Sequence, residues 1–180
     1  MTVTFGNAEQ VKQSFDNLRA LLGGRLTEDE RVWLQGKIEY AKSQAKAYML
    51  QGARDSLRKI RKHPIHGVML DMQLRASRNL AEYMGIDMEA ELQAMDIARH
   101  KVGIRTYIGL TLKHGDAYAS KGEQVDLNNY NHWIQMAEKS AGEMGWDISP
   151  QVDKVRRYSE RNAFSRRLFG LLYSRTGTLL

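Results

Sequence analysis

The sequence contains no cysteine and only two prolines among its 180 residues. The absence of cysteine excludes disulfides, thiolate metal sites and cysteine nucleophiles, and it favours a cytoplasmic compartment, although cysteine-free secreted proteins also exist. No stretch reaches the apolar length of a bilayer-spanning helix, and the first ten residues lack the basic and apolar regions of a signal peptide. We therefore expect a cytoplasmic protein with no transmembrane segment and no targeting peptide.

Strand signals are also scarce, because no segment alternates apolar with polar residues and no Asn-Gly or Asp-Gly turn is present. Apolar residues recur instead at spacings of three and four, in a chain that is 42% hydrophobic and 27% charged, as is ordinary for a globular protein. The sequence predicts one all-α domain, residues 1–180, with about seven helices in antiparallel hairpins. These helices would form a bundle or a short irregular helical repeat.

Capping and stop signals place the early helices. Thr27 and Glu30 have the spacing of a capping box, which starts a helix that we expect to end near Gly52. A second, shorter helix is expected over 53–62, because the residue before Pro64 avoids helical backbone geometry. The sequence therefore predicts a break between two helices in this region.

Two glycines interrupt the long helical pattern in the middle of the chain. Gly103 and Gly109 each cost about 1 kcal/mol relative to alanine inside a helix, so we expect a kink, a break or close helix packing there. The last helix is expected to begin near Pro150, with Ser149 as its N-cap. This basic C-terminal helix is predicted over about 150–180.

Small and aromatic residues lie at helical spacing on both sides of a glycine-containing break at 122–126, which predicts two helices folded back on each other. The residues of this pattern are Leu112, Gly115, Ala117, Tyr118, Gly122 and Ala137, with a fainter copy at Ala45, Tyr48, Gly52 and Pro64. The pattern resembles that of tetratricopeptide-like helical hairpin repeats. This resemblance implies helix pairs that stack to form a groove for a partner peptide.

The net charge of +6 is concentrated in one segment. Residues 154–180 contain seven basic residues and one acidic residue, whereas the rest of the chain contains twenty of each. Six of the seven are arginines, whose planar guanidinium suits phosphate and carboxylate groups. The predicted nucleic acid-binding residues of this segment are Arg156, Arg157, Arg161, Arg166 and Arg167.

The apolar residues of the same segment give it an amphipathic pattern. Such a helix can dock on nucleic acid, on an anionic membrane surface or on an acidic protein, or it can close the core of its own domain or of a neighbouring subunit. The first expected apolar stripe consists of Val152, Val155 and Tyr158, and the second of Phe164, Leu168, Leu171 and Leu172.

A second basic cluster lies around the turn at His63-Pro64. Several of its cations can face water together and contact phosphates, although a solvated helix end explains them equally well. The predicted nucleic acid-binding residues of this cluster are Arg54, Arg58, Lys59, Arg61 and Lys62.

No motif in the sequence names a reaction. A glycine-rich phosphate loop, Gly-x-Ser-x-Gly and His-Glu-x-x-His are all missing, so we predict no catalytic residue, no metal and no cofactor. Each pair that could bind a metal or act as a base has a simpler structural explanation, such as an ion pair or a helix cap. These pairs are His63 with His66, Asp96 with His100, and His114 with His132.

Methionine is frequent, with nine residues, and there are three tryptophans. Met69, Met72 and Met84 lie on a stripe that we expect to fill a core, with an adaptable binding groove as the alternative. All three tryptophans, Trp33, Trp133 and Trp146, are expected to anchor helix packing.

The sequence predicts a non-catalytic interaction or assembly subunit that binds other protein subunits and contacts RNA or DNA through its arginine-rich surfaces. A homo-oligomer is compatible with this role. One alternative is a purely protein-binding helical scaffold with solubilising cations; another is a helical enzyme that uses Asp96, His100, His114 or His132. Steep salt dependence of polyanion binding distinguishes the first two.

Overall fold

The computed structural model describes residues 8–175, with side chains from 10 to 164. Within this range the chain is all-α, as predicted, and forms six helices rather than about seven. The helices are α1 (Ala8–Leu22), α2 (Glu28–Ile60), α3 (Ile65–Met84), α4 (Glu89–Lys121), α5 (Gln124–Gly142) and α6 (Ser149–Arg175).

The predicted number of helices is too high because two of them are long and continuous. Both α2 and α4 contain 33 residues, about 50 Å at the rise of an α-helix. The separate helix expected over 53–62 is the end of α2, which passes through Gly52 without a break. Similarly, α4 continues through Gly103 and Gly109. Glycines inside these long helices are tolerated because tertiary packing contributes more to helix stability than intrinsic propensity does.

The predicted capping box forms at the start of α2. The backbone N–H of Thr27 donates to Oε2 of Glu30 at 2.8 Å, and the N–H of Glu30 donates to Oγ1 of Thr27 at 3.3 Å. These reciprocal bonds satisfy backbone donors that have no partner inside the helix. The bond from the Thr27 backbone, followed by that from its hydroxyl, lowers the pKa of Glu30 below its ordinary value of 4.5.

The chain divides into two compact units. Unit 1 comprises Met1–Lys59 and Ile65–Arg99, and among its described residues it holds α1, α3, most of α2 and the beginning of α4. On α1 and α3, the rings of Phe15 and Tyr83 lie 6.5 Å apart, and the Tyr83 hydroxyl donates to Asp16 at 2.6 Å. The buried core includes Val11, Phe15, Leu34, Ile38, Ala45, Met49, Leu70, Leu74, Leu80, Met84, Met88 and Leu92.

The expected buried stripe of α3 is only half right. Met84 is buried, whereas the side chains of Met69 and Met72 are 47% and 65% exposed. Leu70 and Leu74 are buried in the core instead. Both stripes of this helix have the three-four spacing of a helix face, so periodicity alone does not decide between them. The expectation for Trp33 was also wrong, since this side chain is 64% exposed.

Unit 2 comprises Ile60–Pro64 and His100–Leu180, and its described part contains the end of α4, α5 and α6. Tyr107 stacks on Trp133, with ring centroids 5.8 Å apart. Further along α4, His114 meets Asp126 near the beginning of α5. Because later residues of α4 pair with earlier residues of α5, the two helices are antiparallel. This is the hairpin expected from the small and aromatic residues around the glycine break at 122–126.

The third helix of unit 2 runs in the same direction as α4. Gly115 of α4 lies against Ser159, and Asn162 donates to Asp116 at 2.9 Å. Val152 and Val155 of α6 are buried together with Ile134, Ala137 and Ala141 of α5 and Tyr107 and Thr111 of α4. No helix in the described range combines the length and apolar character needed to cross a bilayer.

Candidate nucleic-acid interface

One side of α6 carries three exposed cations. Lys154, Arg157 and Arg161 follow one another at intervals of three and four residues, which places them on the same face of the helix. None of the three forms an ion pair with a carboxylate among the described residues, although Nε of Arg157 donates to the backbone oxygen of Asp153 at 3.3 Å. Their positive charge therefore faces solvent without an acidic partner.

Two exposed aromatic rings lie on the same side of the helix. Tyr158 is 49% exposed and Phe164 is 68% exposed, each three residues from Arg161. We name this surface the α6 face, and its members are Lys154, Arg157, Tyr158, Arg161 and Phe164. Cations can contact phosphates, and exposed rings offer surfaces for stacking bases, so the α6 face combines the two contacts by which proteins bind single strands.

The exposure of these rings corrects the predicted apolar stripes. Val152 and Val155 are 2% and 5% exposed, as expected, whereas Tyr158 is not buried with them. Each step of three residues falls about 60° short of a full turn, so Tyr158 points about 120° away from Val152. When apolar residues are spaced three apart, the third residue of the series therefore no longer faces the core.

The predicted arginines of α6 differ in their surroundings. Arg156 lies 3.6 Å from Oε1 of Glu138 and 3.8 Å from Oδ1 of Asp153 and is about half exposed, so its charge is partly compensated. Ion pairs at such exposure contribute at most about 1 kcal/mol and can be displaced by a phosphate. The side chains of Arg166 and Arg167 lie outside the described residues.

All five cations of the second predicted cluster are exposed. Arg54, Arg58 and Lys59 lie on the last turns of α2 in unit 1, and Arg58 contacts Oδ1 of Asp55 at 3.4 Å. The other two, Arg61 and Lys62, belong to unit 2.

His100 is the most deeply buried of the candidate histidines, at 3% exposure. Its Nδ1 lies 2.8 Å from Oγ of Ser140, and its Nε2 lies 3.8 Å from Oε2 of Glu143. A serine, an imidazole and a carboxylate are the groups of a nucleophilic relay, but here the ring is enclosed between α4 and α5. The arrangement satisfies a buried polar group and joins the two helices.

Three further candidate side chains also have partners in the structure. Nδ1 of His114 lies 2.9 Å from Oδ1 of Asp126, whereas the exposed ring of His132 packs edge-on against Trp133 at 4.8 Å. Asp96 accepts a hydrogen bond from Arg99 at 2.9 Å in unit 1. These contacts are compatible with structural roles for His114, His132 and Asp96.

The histidines at the turn between α2 and α3 are not part of a recognisable metal centre. His63 is exposed in the turn, and His66 is half-buried on the first turn of α3. Across the part of the chain that the structure describes, no three side chains of histidine, aspartate or glutamate gather to hold a metal ion.

Sequence reasoning missed a second set of functional candidates around Trp146. Lys101 and Arg105 are exposed on α4, and with Trp146 they line a cavity. The signal was present in the sequence, because cations and isoleucines alternate at four-residue spacing in 101–108.

Comparison with known proteins identified no relative of this chain. No protein-family model matches it, and no curated protein or solved structure matches it significantly. The resemblance to tetratricopeptide-like repeats stays a prediction, and function has to be argued from the residues themselves.

Proposed function

We propose that this protein is a non-catalytic helical interaction subunit that binds other protein subunits and contacts RNA or DNA through its basic surfaces. The observation that carries the proposal is the α6 face, on which Lys154, Arg157 and Arg161 have no acidic partner among the described residues and lie beside two exposed aromatic rings. The chain offers no base-reading motif, so binding relies on backbone charge, shape and stacking.

The distribution of charge favours nucleic acid over simple solubilisation. A solubilising surface normally intersperses both signs of charge, and most of the chain does so, with equal numbers of acids and bases outside 154–180. On the α6 face, by contrast, the cations are adjacent and of one sign. An exposed aromatic ring has no solubilising role, but each stacked base contributes about 1–3 kcal/mol of binding free energy.

Binding of protein partners is supported by an exposed apolar stripe in unit 1. Ile65, Val68, Met69 and Met72 recur along α3 at three- and four-residue spacing, and each is between 47% and 65% exposed. Contiguous exposed apolar surface of this kind marks interaction sites in soluble proteins. A purely protein-binding scaffold is therefore the second candidate function, and it predicts no binding to nucleic acid.

The first experiment is a fluorescence-anisotropy titration of labelled single-stranded and duplex oligonucleotides at about 50 mM and about 200 mM salt. Wild-type protein is compared with the triple variant Lys154→Gln, Arg157→Gln and Arg161→Gln. If each cation neutralises one phosphate, the slope of log affinity against log salt falls by about 0.7 per cation on a single strand, or about 2 in all.

The matched control is Lys113→Gln, Lys121→Gln and Lys139→Gln, three cations of the same unit whose removal changes the net charge equally. We expect this control to retain most of the salt slope. An equal loss in both variants would mean that only net charge matters, and absence of binding by wild-type protein at low salt would leave the protein-binding scaffold.

A further inference from the structure

Two cavities with different chemistry lie in the described part of unit 2. The first, of about 290 Å³, lies among α4, α5 and α6 and has Arg156 and Glu160 in its lining, so that its two charges oppose each other. The second, of about 350 Å³, has Lys101 and Arg105 in its lining and no acidic side chain. We name the second the Trp146 cavity; its lining is Lys101, Ile104, Arg105, Ile108, Trp146, Ile148 and Gln151.

The position of Trp146 follows from the way that α5 ends. Gly145 adopts a positive φ of 67°, and the backbone N–H of Trp146 donates to the carbonyl of Ala141 at 2.9 Å. This is the hydrogen bond of a Schellman motif, which fixes the residue after the glycine against the helix end. The Nζ of Lys101 lies 5.8 Å from the centre of the Trp146 ring, within the range of a cation–π contact.

Asp147 is the one acidic residue directly next to lining residues in the sequence, and its carboxylate already accepts a hydrogen bond within the chain. Oδ1 of Asp147 accepts a hydrogen bond from the backbone N–H of Ser149 at 2.9 Å and so caps α6, a role that the sequence had assigned to Ser149 itself. That bond, followed by one from the Ser149 side chain, lowers the pKa of Asp147 below its ordinary value of 3.8. Lys101 and Arg105 have no acidic partner among the described residues, and they are the only charged side chains in the lining that the structure describes.

The Trp146 cavity adjoins the α6 face. Gln151 lines the cavity, and Lys154, the first cation of the α6 face, follows it by three residues, which places the two side chains next to each other on the helix surface. A strand that runs along the α6 face toward the beginning of the helix therefore reaches the cavity. The cavity offers it an aromatic ring, three isoleucines and two cations.

We propose that the Trp146 cavity binds one nucleotide of a single-stranded nucleic acid, with the base against Trp146 and the isoleucines and a phosphate between Lys101 and Arg105. This inference rests on the proposed function, because the strand is the one held by the α6 face. The cavity volume is at the small end of ligand sites, which suits a single base rather than a folded element. Gln151 carries the only side-chain amide in the lining, so the cavity offers few groups that could select one base over another.

The same chemistry is found in a free nucleotide, and the experiment separates the two sources. Binding of a labelled single strand of about 12 nucleotides and binding of AMP are measured for wild-type protein and for two cavity variants. The first variant is Trp146→Leu, which removes the ring, and the second is Lys101→Gln with Arg105→Gln. The lysine and arginine are exposed, so the second variant retains the fold even if the first does not.

We expect Trp146→Leu to bind the strand at least about fivefold more weakly than wild-type protein, the loss expected for one stacked base. The variant Lys101→Gln with Arg105→Gln keeps the ring and should bind more weakly with a smaller salt slope, because it no longer neutralises the phosphate. The matched control, Lys113→Gln with Lys139→Gln, removes equal charge outside the cavity and binds the strand about as tightly as wild-type protein.

A strand carrying 5-iodouridine, irradiated in the complex, crosslinks to Trp146 or to its neighbours in 101–108 and 145–151. AMP binding that is weak and insensitive to the cavity variants identifies the strand as the source of the nucleotide.

Two results would overturn the inference. If the cavity variants bind the strand like wild-type protein while the α6-face triple variant does not, the cavity plays no part and the proposed function stands. If wild-type protein binds neither the strand nor AMP, both the function and the cavity assignment fail. AMP binding lost in the Trp146→Leu variant, with no strand binding by wild-type protein, would retain the site and replace the strand by a free nucleotide.

Discussion

At the scale of single residues, Gly115 shows how closely α4 and α6 approach in unit 2. A Cβ atom built at this position would lie 2.7 Å from Oγ of Ser159 and 3.1 Å from Cδ2 of Tyr130. The Ser159 hydroxyl is buried and has no hydrogen-bond partner among the described residues, which is consistent with its position against the α4 backbone. The small residue at 115 thus permits the contact that orients α6.

Gly115→Ala should destabilise the protein, because the new methyl group requires Ser159 and Tyr130 to move. Overpacking of this kind typically costs about 1–3 kcal/mol, partly offset by about 1 kcal/mol of better helix propensity. The matched control is Gly109→Ala on the same helix, where a Cβ meets nothing within 4 Å and only the propensity gain remains. Urea denaturation of both variants measures the difference, and equal stabilities would contradict the close contact.

At the scale of elements, the capping box of α2 links helix stability to pH. Glu30 accepts two hydrogen bonds from Thr27, and its lowered pKa means that the carboxylate form is favoured in the folded protein. A carboxyl whose pKa is lowered on folding contributes stability above its ordinary value of 4.5. That contribution is lost as the pH falls through the lower, folded pKa.

We therefore predict that Glu30→Gln lowers stability at neutral pH and that the difference from wild-type protein shrinks as the solution is acidified below the ordinary carboxyl pKa. Denaturation midpoints at a series of pH values measure this convergence. Glu28→Gln is the control, because Glu28 lies in the same first turn but forms no hydrogen bond or ion pair in the described structure. If the stability difference between Glu30→Gln and wild-type protein stayed constant across the series, protonation of the Glu30 carboxylate would not weaken the cap.

At the scale of the whole molecule, the net charge of +6 is explained by the last 27 residues, while the second basic cluster is embedded in a part of the chain with no excess charge. The cations at 54–62 are nevertheless exposed, and within the described structure only Arg58 of the five pairs with a carboxylate. This cluster can therefore contact phosphates despite the neutral composition around it.

Replacing Arg54, Arg58, Lys59, Arg61 and Lys62 with glutamine should weaken oligonucleotide binding and reduce its salt slope, by about 0.7 for each phosphate of a single strand that the variant no longer neutralises. Arg58 and Lys59 also lie in the last turn of α2, where cations stabilise a helix by about 0.3–1 kcal/mol each, so circular dichroism must first show a folded variant. A folded variant with wild-type affinity and slope would remove this cluster from the interface.

The sequence by itself determined the helical class, the capping box at Thr27 and Glu30, the hairpin around the break at 122–126 and the basic character of the last helix. These features depend on local spacing and on composition, which act within a few residues of the chain. Helix continuity through Gly52 and Gly103 was not predictable, because it depends on packing along the whole of α2 and α4.

Only the tertiary structure decided which of two equally periodic stripes faces the core. It buried Leu70 in place of Met69, and it left Tyr158 exposed beside the cations of the α6 face. It also brought Lys101, distant in sequence, over the ring of Trp146. Periodicity defines faces around a helix axis but not the neighbour that each face meets, and for this reason the α6 face and the Trp146 cavity became visible only once the helices were packed.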